Sequence, residues 1–177
     1  MDIPQAYAPF NEADDVIATI IGKSMSIDRT LIFTVDKDIM QLSDDFIHIL
    51  ANNKILEPKD VIEKFGVQPH QIPDYLALLG DKADNIPGIK GIGKVTAKKL
   101  INEYSFVESI PIKEFKSGKA DFIQARFNKR LTLLNYDADI KEVFPTGHKH
   151  KVNINEIIEK YELKEIDKKI RSYKNDM

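Results

Sequence analysis

Residues 81–100 read D-K-A-D-N-I-P-G-I-K-G-I-G-K-V-T-A-K-K-L. Asp81 and Asp84 lead directly into a glycine-punctuated turn and then a helix start whose only charges are lysines. Carboxylates hold hard divalent cations, whereas glycine turns, free helix-terminal amides and lysines hold phosphates. A chain that places both within one short stretch has the chemistry to bring a metal to a nucleic-acid backbone. Gly88, Gly91 and Gly93 permit positive φ and close backbone approach. Ile89 and Ile92 read as hydrophobic anchors, so G-I-K-G-I-G resembles a helix–hairpin–helix element. Such elements contact phosphates without reading base sequence. Lys90, Lys94, Lys98 and Lys99 add positive charge on the same side and make binding salt-dependent. A purely structural turn between two helices is the competing reading.

Working outward, residues 71–79 form an apolar helical run stopped by Gly80, and Pro58 opens a helix that Gly66 closes. Residues 94–104 are predicted helical, with Ala97, Leu100, Ile101 and Tyr104 facing inward. Further helices are predicted over 121–134 and 154–173. Toward the N-terminus the pattern changes. Residues 30–35 (T-L-I-F-T-V) are a continuous β-rich apolar run, as expected of a strand buried on both faces. Residues 46–50 form a second strand. Asn11 reads as the N-cap of a helix over 12–23, with acids in its first turn where the helix dipole favours them. Residues 1–10, interrupted by Pro4 and Pro9, are expected to be irregular.

Strands early and helices late suggest part of a parallel α/β sheet followed by a helical region. Two strands are too few for a stable sheet by themselves, so the chain reads as part of a larger α/β layer. The expected division is an acidic α/β segment over 1–57, a helix–hairpin–helix region over 58–137 and a C-terminal helical segment over 138–177.

The acids fall into further pairs. Glu12 and Asp15 share one helix face, with Asp14 beside them. Asp36 and Asp38 follow the first strand, at the sheet edge where α/β proteins bind ligands. Taken singly, each pair reads as readily as helix-start or turn residues. Gathered at one end of one sheet they would repel one another unless a cation neutralised them. Oxygen-only ligands suit magnesium or manganese. Two such ions about 3.5–4 Å apart orient a water and stabilise the leaving oxygen in phosphodiester hydrolysis.

Composition bounds the rest. The chain has 177 residues, 42% of them hydrophobic, and a net charge of −2. That average hides acids clustered in the first half and lysines gathered after residue 86. No apolar run is long enough to span a bilayer, and the first residues do not read as a signal peptide. The absence of cysteine removes disulfides and thiolate zinc sites, and a cytoplasmic or organelle-matrix setting is expected. The run His148-Lys149-His150-Lys151 reads as a solvated loop, with DNA contact or adventitious metal binding as alternatives.

Three motifs together resemble the 5′ nuclease family. That family includes phage flap endonucleases and exonucleases and the 5′–3′ exonuclease domain of bacterial DNA polymerase I. Glu12-Ala13-Asp14-Asp15 stands where the family has E-A-D-D. Asp36-Lys37-Asp38 with Gln41-Leu42 resembles its strand-end D-K-D-x-x-Q-L. Asp74 to Asp81 followed by Asp84 to Gly88 is similar to its D-Y-L-A-L-x-G-D-x-x-D-N-I-P-G, and Gly91, Gly93, Thr96 and Ala97 continue the match.

The resemblance implies a PIN-like nuclease core and a helix–three-turn–helix that grips duplex DNA. It implies Glu12 and Asp14 at a first metal site and Asp15, Asp36, Asp38, Asp81 and Asp84 at a second, all in catalytic roles. Magnesium or manganese, two ions in the complete enzyme, would be the cofactor, with a potassium ion on hairpin carbonyls. Gly88, Lys90, Gly91, Gly93, Lys94, Thr96, Lys98 and Lys99 would meet DNA. Substrates would be duplexes with 5′ ends or flaps, including RNA–DNA hybrids.

Family members also carry an N-terminal region that supplies two more acids and a basic helical arch. The first metal set is therefore expected to need a missing half, from a separate chain or a longer polypeptide. This chain alone is expected to bind DNA and one metal and to cleave weakly or not at all. A non-catalytic duplex-binding module and an assembly subunit with an exposed sheet edge are the alternatives.

Overall fold

The computed structural model describes residues 5–24 and 29–142. The expected helix over 154–173 and the basic run over 148–151 lie outside the described residues. In chain order the elements are β1 (Ala6–Tyr7), α1 (Ala13–Lys23), β2 (Thr30–Phe33), β3 (Ile47–Ala51) and β4 (Lys54–Leu56). Then follow α2 (Pro58–Phe65), α3 (Ile72–Leu79), α4 (Lys94–Tyr104), α5 (Lys119–Thr132) and β5 (Lys141–Glu142). Short 3₁₀ turns link several elements, including Asp38–Leu42 between β2 and β3 and Pro69–Gln71 just before α3.

The helix limits follow from local chemistry. Pro58 sits in the first turn of α2, and Gly66 closes it at φ 75°, a left-handed cap that glycine adopts without a Cβ penalty. Gly80 ends α3 at φ 82°. Helix α1 begins one residue later than the expected Asn11 cap, with Glu12 at the N-cap. The reason is that the Asn11 amide donates to the Pro9 carbonyl at 2.9 Å while its carbonyl oxygen accepts from Asn135 at 3.0 Å. The Glu12 N–H instead donates to Asp15 Oδ2 at 3.4 Å.

The sheet departs from the expected parallel one. β2 pairs with β3 in parallel, Thr30 opposite Ile47, but β3 pairs with β4 antiparallel through an Asn52-Asn53 turn. Both asparagines have positive φ, as a two-residue primed hairpin turn requires. Nor is the Thr30–Val35 run buried on both faces: Ile32 is buried, whereas Phe33 is 57% and Val35 72% exposed. β2 is an edge strand of this sheet, and no described element covers the face that Phe33 presents. A two-stranded ladder of β1 and β5, Tyr7 opposite Lys141, brings the chain back toward α1.

The main core lies between the sheet and the helices. Ile49, Ile72, Leu78 and Ile101 are fully shielded, each burial stabilising by about 1.5–3 kcal/mol. Helix α5 packs along α3, where Thr132 Oγ1 donates to the Pro73 carbonyl at 3.0 Å. This packing holds the end of α3, and hence the Asp81 loop, against the body of the protein.

Candidate metal and nucleic-acid site

Just past β2 the chain turns sharply. The Asp36 N–H donates to Thr34 Oγ1 and the Asp38 N–H to Asp36 Oδ1, both at 3.0 Å. These turns direct Asp36, Lys37 and Asp38 toward the loop that follows α3. An antiparallel bridge between Asp81 and Ile86, with bonds of 2.9 and 2.7 Å, closes that loop. Asn85 adopts φ 56° within it.

Lys37 lies between the two groups of acids. Its Nζ is 2.6 Å from Asp81 Oδ2 and 3.1 Å from Asp84 Oδ2. Asp81 Oδ2 is held there by charge without an aligned hydrogen bond, while its Oδ1 accepts the Ala83 N–H at 2.9 Å. Burial favours the neutral forms of both partners, but the contact outweighs it: Asp81 sits below the usual carboxylate range and Lys37 above the usual lysine range. Asp38 behaves differently. Burial pushes its carboxyl up to about 6; Lys37 opposes the shift, and the charges of Asp36, Asp84 and Asp81 reinforce it. Its Oδ1 is buried without a hydrogen-bond partner.

Asp14 joins from α1. Burial raises its carboxyl, with the charges of Asp15 and Asp36 adding to the shift. Asp36, Asp38, Asp81 and Asp84 are thus drawn together around Lys37, with Asp14 on the Asp36 side. Glu12 and Asp15 are placed otherwise. Glu12 is the exposed N-cap of α1. Asp15 accepts the Asn135 N–H at 2.8 Å as well as the Glu12 N–H, tying α1 to the segment after α5. Among the described residues, no three Asp, Glu or His side chains converge closely enough to cage an ion. The Lys37 ammonium occupies the Oδ2 atoms of both Asp81 and Asp84.

The glycine turn adjoins this cluster directly. Gly80 and Gly88 touch backbone to backbone, and the Ile89 N–H donates to the Leu78 carbonyl at 2.8 Å. Ile89 and Ile92 are buried, as anchors should be. Gly91 takes φ 87° at the tip. Gly93 caps α4, and a side chain there would meet nothing within 4 Å. The first amides of α4 have no side-chain cap. Lys90, Lys94, Thr96 and Lys99 are exposed around them. Lys98 is only half exposed, its stem lying over Gly66. A cleft of about 580 Å³ runs from Asp81 past Gly80 and Gly88 to Lys94, joining Asp81, but not Asp36, Asp38 or Asp84, to the hairpin. A larger groove of about 950 Å³ between α1 and the β1–β5 ladder has none of the acid cluster in its walls.

Two supporting residues escaped the reading of the motifs. Asn128, fully buried on α5, donates to the carbonyls of Ala77 at 2.9 Å and Pro87 at 2.6 Å. It thereby fixes the hairpin to α3. Lys129, on the same helix, meets the buried Asp74 at 2.8 Å. A polar residue on the inward face of a helix was the available signal for Asn128.

Comparison with known proteins agrees with this arrangement. Residues 67–169 match the family described as 5′-3′ exonuclease, C-terminal SAM fold, and residues 1–66 match the 5′-3′ exonuclease N-terminal resolvase-like domain. The chain belongs to the 5′-3′ exonuclease family, and its mixed α/β core and helical region are the family's fold. It is 38% identical to a 5′-3′ exonuclease of Aquifex aeolicus, over 96% of this chain and 63% of that protein. Against thermostable DNA polymerase I of Thermus aquaticus it is 43% identical, over 62% of this chain and 14% of the polymerase. The structure of T5 5′-exonuclease with bound zinc superposes with a TM-score of 0.64 at 25% identity, covering 71% of this chain and 51% of that one. The chain spans about three-fifths of the length of the Aquifex relative.

Proposed function

We propose that this chain is the part of a divalent-metal-dependent 5′–3′ exonuclease or flap endonuclease that holds metal and grips duplex DNA. The observation that carries this reading is the continuity of the site: one cleft runs from Asp81 to Lys94 at the open end of α4. A phosphodiester backbone lying on the hairpin would reach Asp81, the acid that borders the cluster around Lys37, without leaving that cleft.

The donor chemistry fits a hard cation, although with Lys37 in place no three of the described acids converge on one point. Asp38 carries a buried oxygen with no partner, the neighbouring carboxylates oppose its ionisation, and the donor set is oxygen only. Asp36, Asp38, Asp81 and Asp84 would hold the ion, with Asp14 completing the α1 side and Glu12 and Asp15 at its margin. Bound there, a divalent cation supplies Lewis-acid activation of water and neutralises charge at the phosphate. Magnesium or manganese suits these ligands best. The T5 5′-exonuclease structure with divalent ions supports the same class of cofactor.

The chain's own contribution to DNA is positioning. The free amides after Gly93 and the dipole of α4 receive a phosphate, and Lys90, Lys94, Thr96 and Lys99 add charge or hydrogen bonds without reading sequence. Hairpin carbonyls would accept potassium. Substrates are duplexes with 5′ ends or flaps, RNA–DNA hybrids included. The remaining acids and the basic arch of the complete nuclease come from an N-terminal region, in the same polypeptide or a separate chain.

Calorimetric titration with manganese and binding of a 5′-flap duplex test the reading together. Asp81→Asn is expected to abolish manganese binding and keep duplex affinity; Lys94→Ala is expected to weaken duplex binding and keep manganese affinity. A wild-type chain that binds duplex but no divalent ion would instead make this a non-catalytic DNA-binding module, a reading favoured by the way Lys37 already neutralises the acids.

A further inference from the structure

We propose that Lys37 is a tethered competitor of the divalent ion: its ammonium stands between Asp81 and Asp84 and must leave before metal enters, so it sets the metal concentration at which the site loads. The inference rests on the reading of these acids as a metal site and goes beyond it.

The geometry carries the argument. Lys37 reaches from the end of β2 to a loop far along the chain, with Nζ 2.6 Å from Asp81 and 3.1 Å from Asp84. Both contacts use Oδ2. Asp81 Oδ1 is already bound to the Ala83 amide, so the oxygen in contact with the ammonium is the one left for an ion. This is not an exposed surface pair: the side chain of Asp81 is 7% exposed and that of Lys37 31%. Little water screens the Asp81 contact, while Asp84 is 49% exposed, so the ammonium is held chiefly from the Asp81 side. A divalent cation arriving at these oxygens must break both contacts and displace a like charge.

Lysine suits such a role. Its charge is a point on a flexible four-carbon stem that can rotate away from the site. Asp36 and Asp38 flank it in sequence, so a displaced ammonium stays within reach and returns when metal leaves. In the metal-free protein the same ammonium offsets repulsion among the acids, so the loop after α3 keeps its place without an ion. One residue thus stabilises the empty site and opposes its filling.

The test compares wild type, Lys37→Met and Lys37→Arg by manganese titration calorimetry and by melting in EDTA and in saturating manganese. Lys37→Met, which keeps the stem and loses the charge, is expected to bind manganese about tenfold more tightly, or about 1.4 kcal/mol. It should melt below wild type in EDTA, and saturating manganese should close or reverse that gap. Lys37→Arg should bind no more tightly than wild type. Equal or weaker binding by Lys37→Met overturns the proposal, leaving Lys37 a loop-positioning residue. No binding by any of the three overturns both the proposal and the metal-site reading beneath it. If Lys37→Met does not fold, side-chain NMR of wild-type Lys37 during magnesium titration decides the matter. The ammonium signal is expected to move to that of a solvated lysine, and a signal unmoved at saturation refutes the competition.

Discussion

Gly80 and Gly88 pack so closely that neither position has room for a β-carbon. One at Gly80 would strike the Gly88 amide, and one at Gly88 would strike the Leu79 carbonyl. This contact joins the loop of acids to the hairpin, so the two halves of the site share one backbone junction. Gly88→Ala is therefore expected to destabilise by about 1–3 kcal/mol and to weaken metal and duplex binding together. Gly80→Ala adds the strain of φ 82° and should cost more. Gly93→Ala is the contrast. Nothing in the chain opposes a methyl there, so urea denaturation should show a loss of at most about 1 kcal/mol. A marked loss of duplex affinity in that variant would report a ligand lying against the open helix end.

Much of this was legible because the signals are local. Lys94–Tyr104 is helical as read, and Pro58, Gly66 and Gly80 punctuate their helices as their backbone preferences require. The grouping of Asp36 and Asp38 with Asp81 and Asp84 was expected from the resemblance to the 5′ nuclease family, since local signals place each pair only at a chain turn. What escaped depends on contacts distant in sequence. The β3–β4 hairpin was missed because Asn-Asn is a weaker turn signal than Asn-Gly and Lys54–Leu56 is short. The exposure of Phe33 and Val35 depends on which elements cover the sheet, and strand composition does not specify that. The amide that Asp15 accepts comes from Asn135, and the oxygens that Lys37 meets belong to Asp81 and Asp84. No periodicity forecasts such pairings.

Lys129 and Asp74 form a buried clasp between α5 and α3. Asp74, 2% exposed, accepts the Val107 N–H and meets Lys129 Nζ, each at 2.8 Å. The same ammonium reaches Glu108 at 2.8 Å and lies 5.3 Å from the centre of the Phe106 ring. Removing Lys129 leaves the Asp74 charge buried with only the Val107 N–H, whereas removing Asp74 leaves Lys129 its contact with Glu108. Lys129→Met is expected to lose about 3 kcal/mol, whereas Asp74→Asn keeps the Val107 contact and should lose less. The double variant should be more stable than the sum of the single losses implies, which a double-mutant cycle by urea denaturation measures.

The same clasp has a pH signature. Burial raises the Asp74 carboxyl above its ordinary value, against the lowering effects of Lys129 and the Val107 amide. A folded pKa above the unfolded one means that the native state holds this proton more tightly. Its stabilising contribution is complete below the unfolded value near 3.8 and is lost as pH rises through the folded value. The stability deficit of Asp74→Asn relative to wild type is therefore expected to shrink as pH rises across that window. Melting both proteins in EDTA from acid to neutral pH checks the sign. A deficit that grows instead would mean that pairing with Lys129 outweighs burial.

Salt dependence separates the lysines of the hairpin. Lys94 stands exposed at the start of α4, in the cleft that leads to Asp81, so a phosphate bound against it would release counterions. Lys94→Ala should weaken binding of any duplex to a similar degree and reduce the slope of log affinity against log salt by about 1. Lys98 is one helical turn further on, half-buried, with its stem over Gly66 at the end of α2. Part of its role is packing, because a lysine stem covers apolar surface whatever its charge does. Lys98→Met is therefore expected to leave the melting temperature nearly unchanged, and Lys98→Ala to lower it, with the salt slope altered less by either than by Lys94→Ala. Fluorescence anisotropy of a labelled flap duplex across a salt series measures the slopes. Equal slope changes at both positions would place Lys98 on the DNA after all, with its packing over Gly66 secondary.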